Sequence, residues 1–161
     1  MNAIRLLKNQ HAEVKALFGR YDRTDDDAMR QELFENVADA LAAHSAIEEK
    51  VFYPSVYVGE LKSELREAVE EHLAAKRVIA DLLRLTPEDP QFDAKMKVLK
   101  DEIEHHVKEE EGVLFPQVEK SFDTAELESI GERMSEMFEE LQKKEPRLEV
   151  PSETDRAAPL G

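Results

Sequence analysis

Four long stretches of this sequence place apolar residues three and four positions apart, the spacing at which side chains share one face of an α-helix. Glycine, which breaks helices and supplies the turns between strands, occurs only five times in 161 residues. Each such helix must bury its apolar stripe against another helix. The pattern therefore predicts an all-α fold, an antiparallel up-and-down four-helix bundle with an additional C-terminal helix.

Prolines and capping residues predict where the helices begin and end. The first four are expected at about Asn2–Tyr21, from Asp25–Asp27 to Pro54, at Val58–Leu85 and from Pro90 to Pro116, and the fifth begins at a capping box at Asp123. The fifth is expected to pack outside the bundle or to contact a second copy in a homodimer. We expect residues 1–144 to form one domain, and residues 145–161, where the apolar pattern stops, to form a disordered tail.

Charge and composition exclude several classes of function. The net charge of −15 argues against binding to nucleic acid or to an anionic membrane surface, because both need clustered Lys and Arg. The chain has no cysteine, which excludes disulfides, iron–sulfur clusters and thiolate metal sites. No apolar run is long enough to cross a membrane, and the N-terminal residues do not resemble a secretory leader, so the expected location is the cytoplasm.

Helices two and four carry the same polar motif on their apolar stripes. His44 is followed by Glu48 and Pro54, and His106, 62 residues further on, is followed at the same distances by Glu110 and Pro116. Helices one and three each contribute one histidine, 61 residues apart. Six ionisable side chains thus occupy stripe positions where Leu or Val is expected: His11, His44, Glu48, His72, His106 and Glu110.

A lone histidine on such a stripe is usually a hydrogen-bonded core residue, but six converging polar groups are not explained in that way. Two buried carboxylates would repel each other, and their desolvation is unfavourable unless something cationic compensates. Four His and two Glu are suited to a pair of metal ions. His105 and Glu109 repeat the spacing, but His105 is rotated about 200° from Ile103 and is predicted to be a surface residue.

Two further glutamates, Glu49 and Glu111, directly follow the motif carboxylates. They lie one position off the ligand face. A solvated helix face is the favoured interpretation for both, over a hydrogen bond to a metal ligand.

The paired motif resembles the hemerythrin-like family, the HHE cation-binding domains, over about residues 3–120. The resemblance implies a non-haem di-iron centre inside the bundle, with two iron ions bridged by oxo, hydroxo or water and by Glu48 and Glu110. The implied histidine ligands are His11, His44, His72 and His106.

The sequence departs from the oxygen-carrying members that it resembles. They have a further His where this chain has Lys76, an Asp five residues after the last His where this chain has Glu110 at four, and five His ligands rather than four. These departures favour redox turnover, iron handling or sensing over simple oxygen carriage. Tyr53, whose counterpart is Phe115, is a candidate extra ligand if a kink at Pro54 turns it inward, although packing at a helix end is the favoured interpretation.

Two functions follow from these expectations. The first is a di-iron protein that reacts with dioxygen or hydrogen peroxide in oxidative stress or iron handling. An enzyme of the catalase or peroxidase type is the candidate activity. The alternative is a non-enzymatic module that binds or senses oxygen, nitric oxide or iron. Bound zinc or manganese without a redox role is a third interpretation, because His and carboxylate ligands do not choose among these metals.

Overall fold

A computed structural model describes all residues from 1 to 161 and contains helices without strands. The bundle consists of α1 (Ala3–Asp22), α2 (Asp27–Ile47), α4 (Leu61–Leu82) and α5 (Pro90–Glu109). Helix α1 packs along α2, and α4 packs along α5. The prediction of an all-α bundle is confirmed.

The helix starts follow the capping residues that the sequence offers. The side chain of Asn2 accepts hydrogen bonds from the first turn of α1, and Asp26 and Asp89 do the same for α2 and α5. Helix α4 begins at Leu61 rather than at the predicted Val58, because the chain turns at Gly59, which has a φ of 51° that other residues rarely adopt.

Helices α2 and α5 both end in a π-helical turn, which the sequence did not predict. The first π-turn (Glu48–Phe52) leads into α3 (Tyr53–Ser55), and the second (Glu110–Leu114) leads into α6 (Phe115–Ser121). In each turn, a backbone N–H donates a hydrogen bond to the carbonyl oxygen five residues earlier. Tyr53 donates to Glu48 in the first turn, and Phe115 donates to Glu110 in the second. Each proline lies near the start of a new α-helical segment, where its missing N–H is tolerated, so Pro116 does not end the helix.

A layer of buried polar residues divides the apolar core into two clusters. One cluster lies around Phe52, Leu65 and Phe115, and the other lies around Phe34 and Phe92. The six stripe residues predicted from the sequence lie between the two clusters, at most 7% exposed. Apolar packing on both sides therefore fixes the helices that carry the polar layer.

The additional helix α7 (Thr124–Gln142) packs against α1, α2 and the first π-turn. Asp123 and Glu126 form the predicted capping box at its start. Gly131 lies against the N-terminal residues, and a Cβ placed there would come within 1.9 Å of the Met1 carbonyl oxygen. The glycine thus permits a close backbone approach.

The segment expected to be a disordered tail is folded onto the bundle. Residues Pro146–Glu153 form a 3₁₀ helix that contacts α2 and α4. Val150 is 2% exposed in the apolar core, and the Arg147 guanidinium lies 3.0 Å from a carboxylate oxygen of Asp39. The difference from the expectation arises because single contacts dock the segment, among them buried Val150 and the ion pair of Arg147, and such contacts produce no helical period in the sequence.

No helix of the structure is both long and apolar enough to span a lipid bilayer.

We expect Gly131→Ala to destabilise the protein by about 1–3 kcal/mol, because the added methyl group collides with backbone atoms that cannot move aside as a side chain can. Gly19→Ala is the matched control, since its nearest new contact is the end of an arginine side chain at 3.4 Å. Thermal or urea unfolding of both variants measures the difference. Equal stability of the two variants would contradict the packing described for α7.

Candidate metal centre

Each of the four long helices places one imidazole in the buried polar layer, and each π-turn adds one carboxylate. His11 comes from α1, His44 from α2, His72 from α4 and His106 from α5. The carboxylates are those of Glu48 and Glu110, the first residues of the two π-turns. The structure thus brings together all six residues that the sequence singled out.

The six side chains form two groups that could hold metal ions. His11, His44, Glu48 and Glu110 make one group, and Glu48, His72 and His106 make the other, with the ligand atoms in each within 4.8 Å of one another. Glu48 belongs to both groups. Its Oε1 lies 3.1 Å from the Nε2 atoms of His44 and His72.

The carboxylate of Glu110 also spans the two groups. Its Oε1 lies 3.1 Å from Nε2 of His11, and its Oε2 lies 3.5 Å from Nε2 of His106. Both carboxylates therefore lie close to imidazoles of both groups.

Every imidazole is held through its outer nitrogen, Nδ1, by an oxygen of another helix or π-turn at 2.6–2.7 Å. The four pairs are His11 with Glu111, His44 with Gln10, His72 with Glu49 and His106 with Glu71. A carboxylate or amide oxygen can only accept, so Nδ1 carries the hydrogen in each pair. In the neutral ring the lone pair is then on Nε2, which faces the centre.

Several buried atoms at the centre have no hydrogen-bond partner, although other polar atoms lie close to them. They are Nε2 of His11 and His44, both oxygens of Glu48, and Oε1 of Glu110. The 3.1 Å approaches between them thus lack the geometry of hydrogen bonds. When the imidazoles are unprotonated, these lone pairs converge without a donor, which is the arrangement of a cation site, so the residues fit a bound metal.

The contact between His72 and His106 supports the same conclusion. Their Nε2 atoms lie 3.2 Å apart. Both Nδ1 atoms donate to carboxylates, so in the neutral rings two Nε2 lone pairs face each other. Either a proton or a metal ion must lie between or beside them.

Tyr53 points into the centre, although packing at a helix end was the favoured interpretation of the sequence. Its hydroxyl donates to Oε2 of Glu110 at 2.5 Å and lies 3.3 Å from Nε2 of His72. On a straight helix it would face away from His44, but the π-turn inserts one residue and rotates the following side chains by about 100°. Burial and the negative charges of Glu110 and Glu48 raise the pKa of Tyr53 well above its usual value.

Electrostatic coupling shifts the pKa values of the central groups in opposite directions. Burial raises the pKa of Glu48, but the charge on His44 and the close approach of His44 and His106 to its carboxylate lower it well below the usual value. Burial lowers the pKa of His106, but the charge of Glu110 and its hydrogen bonds raise it well above the usual value. These shifts favour a negative charge on Glu48 and a positive charge on His106.

His105 lies outside this layer, as the sequence predicted. It is an exposed residue whose Nε2 lies 3.3 Å from Glu109 and 3.4 Å from Glu71. These three residues also form a group that could hold a cation, but two of them are exposed, and acidic surface groups are commonly close together without one.

The residues that hold the imidazoles were missed or misassigned from the sequence. The prediction of a solvated face is wrong for Glu49, which is buried against Nδ1 of His72, whereas Glu111 is partly exposed and also contacts Nδ1 of His11. Gln10 and Glu71 were not singled out. A signal was present, since both directly precede a stripe histidine, just as Glu49 and Glu111 directly follow a stripe glutamate.

Lys76, which occupies the position of a further histidine in the oxygen carriers, is buried as well. The Nζ atom of Lys76 lies 2.9 Å from Oε1 of Glu49 and 3.2 Å from Glu153. It therefore supports the partner of His72 and does not itself face the two carboxylates of the centre.

A sequence model of the Hemerythrin HHE cation binding domain matches residues 2–118, which is most of the chain and includes every residue of the centre. The chain belongs to the hemerythrin HHE family. The resemblance seen in the paired motif is thus confirmed, and the two buried His and Glu groups are suited to the cation binding that the family is named for.

Two similar proteins place this HHE chain among its relatives. The crystal structure of a Hemerythrin HHE cation binding domain-containing protein from Mycobacterium kansasii superimposes with a TM-score of 0.77 at 25% identity, covering 96% of this chain and 94% of that one. A protein of Nostoc sp. named DNA nickase is 27% identical over 128 residues. The match covers 80% of this chain but 36% of the Nostoc protein, so the chain spans about a third of that relative's length.

Replacing His44, His106, Glu48 or Glu110 with Ala is expected to lower bound metal well below two ions per chain, because each change removes a group that faces the centre. His105→Ala is the matched control, since it removes an imidazole adjacent in sequence but exposed to solvent. Metal analysis of the purified variants measures the number of ions bound per chain. Equal metal loss from His105→Ala would place the helix α5 ligand on the other face.

The affinity for divalent metal is expected to fall as the pH decreases through the raised pKa of His106. The raised pKa means that the metal-free protein still holds this proton at a pH where an ordinary histidine has lost it. A metal ion must displace the proton, so binding releases protons and weakens at lower pH. Calorimetric titration in buffers of different ionisation enthalpy measures this release. Binding that releases no protons would contradict the charge state inferred for the centre.

Proposed function

We propose that this protein binds two iron ions through His11, His44, His72, His106, Glu48 and Glu110 and reacts with hydrogen peroxide or dioxygen. The observation that carries the proposal is the set of buried, unpartnered nitrogen and oxygen atoms converging between two groups that share Glu48. Each cation would take imidazoles from one helix pair, α1 with α2 or α4 with α5. Glu48 and Glu110 would bridge them.

Redox chemistry is supported by what surrounds the two groups. Only four imidazoles face the centre, and at the position of a further His the chain has Lys76, whose ammonium is engaged by Glu49. Fewer nitrogen ligands leave positions for water or a small oxidant. This favours turnover over the reversible holding of oxygen.

Peroxide disproportionation balances without another reactant: one hydrogen peroxide is oxidised to dioxygen and a second is reduced to two water molecules. Bound iron supplies the exchange of electrons. The protein's part is to hold the imidazoles rigidly through their Nδ1 atoms, to keep the two carboxylates between the cations and to manage protons.

Tyr53 is the residue best placed to handle a proton. Its hydroxyl lies within hydrogen-bond distance of a Glu110 oxygen and of two imidazole nitrogens in a site shielded from solvent. We propose that it holds a proton on its hydroxyl oxygen and shares it with Glu110. As an extra ligand it would instead lose that proton to become a phenolate.

Nucleic-acid cleavage is not proposed, although one relative is named a DNA nickase. Most of that relative lies outside the matched region, and the net charge of −15 disfavours contact with phosphate. The alternative is a module that only binds or senses oxygen, nitric oxide or iron. The cytoplasmic location stays a prediction of the sequence.

The test is anaerobic purification with iron, metal analysis, and spectra recorded on addition of oxygen or peroxide. Two irons per chain and many turnovers of hydrogen peroxide are expected. A stable and reversible oxygen adduct without peroxide turnover would establish the binding or sensing alternative, and full occupancy by zinc or manganese without redox change would contradict both.

We expect Tyr53→Phe to slow peroxide turnover by about 10²-fold, the scale of a lost proton-transfer group. The substitution is also expected to alter the visible spectrum if the Tyr53 phenolate contacts iron in the unsubstituted protein. Tyr57→Phe is the control, because that hydroxyl contacts only a surface arginine, Arg66. If the two variants behave alike, Tyr53 has only a packing role.

A further inference from the structure

A small cavity adjoins the imidazoles of the centre, and neither the two carboxylates nor Tyr53 lines it. Its walls include all four histidines, together with Lys76 and two residues of the C-terminal segment, Val150 and Glu153. The cavity volume is about 40 Å³. One water needs roughly 10–15 Å³ by the same measure, so the space holds about three water-sized molecules.

The C-terminal segment covers this cavity on the side of α2 and α4. Helices α2 and α4 contact each other little, and Pro146–Glu153 lies against both of them. Val150 enters the apolar cluster beside the cavity and is 2% exposed. The segment therefore replaces the side-chain contacts that α2 and α4 would otherwise make.

Polar contacts at both ends hold the segment in place. At its start, the backbone N–H and the guanidinium of Arg147 both bond to Asp39 of α2 at 3.0 Å. Beyond its end, the side chain of Arg77 of α4 donates to the carbonyl oxygens of Thr154 and Asp155.

The segment is also connected to the centre itself. Glu153 bonds to Lys76, which bonds to Glu49, and Glu49 accepts the hydrogen of His72 Nδ1. Three contacts therefore separate the C-terminal segment from an imidazole of the centre. Movement of the segment would release one side of Lys76 as well as open the cavity.

We propose that Pro146–Glu153 is a roof that sets the size of the oxidant reaching the metal centre, with Val150 and Glu153 as the specificity-determining residues. Hydrogen peroxide fits beneath it, whereas an organic hydroperoxide with an aromatic or branched alkyl group does not. This inference rests on the proposed function, and the test includes a measurement that does not depend on turnover.

The test compares the iron-loaded full chain with Val150→Ala, with Glu153→Gln and with a chain ending at Glu145. Leu148→Ala is the matched control, because Leu148 lies in the same segment but is 56% exposed. Removal of iron by the bulky chelator bathophenanthroline disulfonate is timed first. Stopped-flow oxidation of the diferrous protein by hydrogen peroxide and by cumene hydroperoxide follows, with the protein supplying both electrons.

We expect Val150→Ala and the shortened chain to lose iron to the chelator roughly tenfold faster, because the buried valine holds the roof closed. The rate with cumene hydroperoxide is expected to rise relative to that with hydrogen peroxide. Glu153→Gln should show smaller changes in the same direction, and Leu148→Ala none.

Unchanged iron release and an unchanged ratio of the two oxidation rates in Val150→Ala would overturn the proposal, and so would equal effects of Leu148→Ala. The point variants decide if the shortened chain does not fold. A wild-type protein that does not turn over peroxide would contradict the proposed function alone, because the chelator measurement still decides whether the roof controls access.

Discussion

The hydrogen bonds that the four Nδ1 atoms donate are the interactions on which the rest of the centre depends. A buried imidazole can rotate and can carry its hydrogen on either nitrogen. An acceptor at 2.6–2.7 Å from each Nδ1 removes both freedoms and directs Nε2 to the interior. A carboxylate partner also makes the ring a stronger electron donor to a metal. Three of the four rings have such a partner, and His44 has the neutral Gln10.

A polar layer across the middle of a small helical bundle is unfavourable unless its charges are compensated. Glu48 and Glu110 are almost fully buried, and the raised pKa of His106 favours a protonated ring whose positive charge opposes their mutual repulsion. The two apolar clusters on either side supply the stability that this layer does not. A metal ion bound only by the folded chain would add to that stability.

The sequence predicts the helices and the inward-facing ligands because both follow from one period. The four histidines, Glu48 and Glu110 replace apolar residues at regular positions of the helices. The face to which their side chains point can therefore be predicted without a structure. The π-turns have no such period, and Tyr53 was misjudged for that reason. Glu49 was misjudged because a charged residue one step off a stripe is usually solvated, and only the π-turn brings two successive glutamates inside. The fold of residues 146–153 depends on single contacts such as Val150, which leave no pattern.

Two of the four Nδ1 partners come from the other helix pair, and this affects how the sequences of the two halves can evolve. Glu49 contacts a histidine of the second helix pair, and Glu111 contacts a histidine of the first, so each pair orders only one of its two rings alone. Two identical helical hairpins related by a twofold axis would make the same reciprocal contacts. Joining them in one chain removes the requirement for identity. Each half can then diverge without changing the other, as Tyr53 has from Phe115 and Gln10 from Glu71. A symmetric scaffold thereby acquires two chemically different halves of its polar layer.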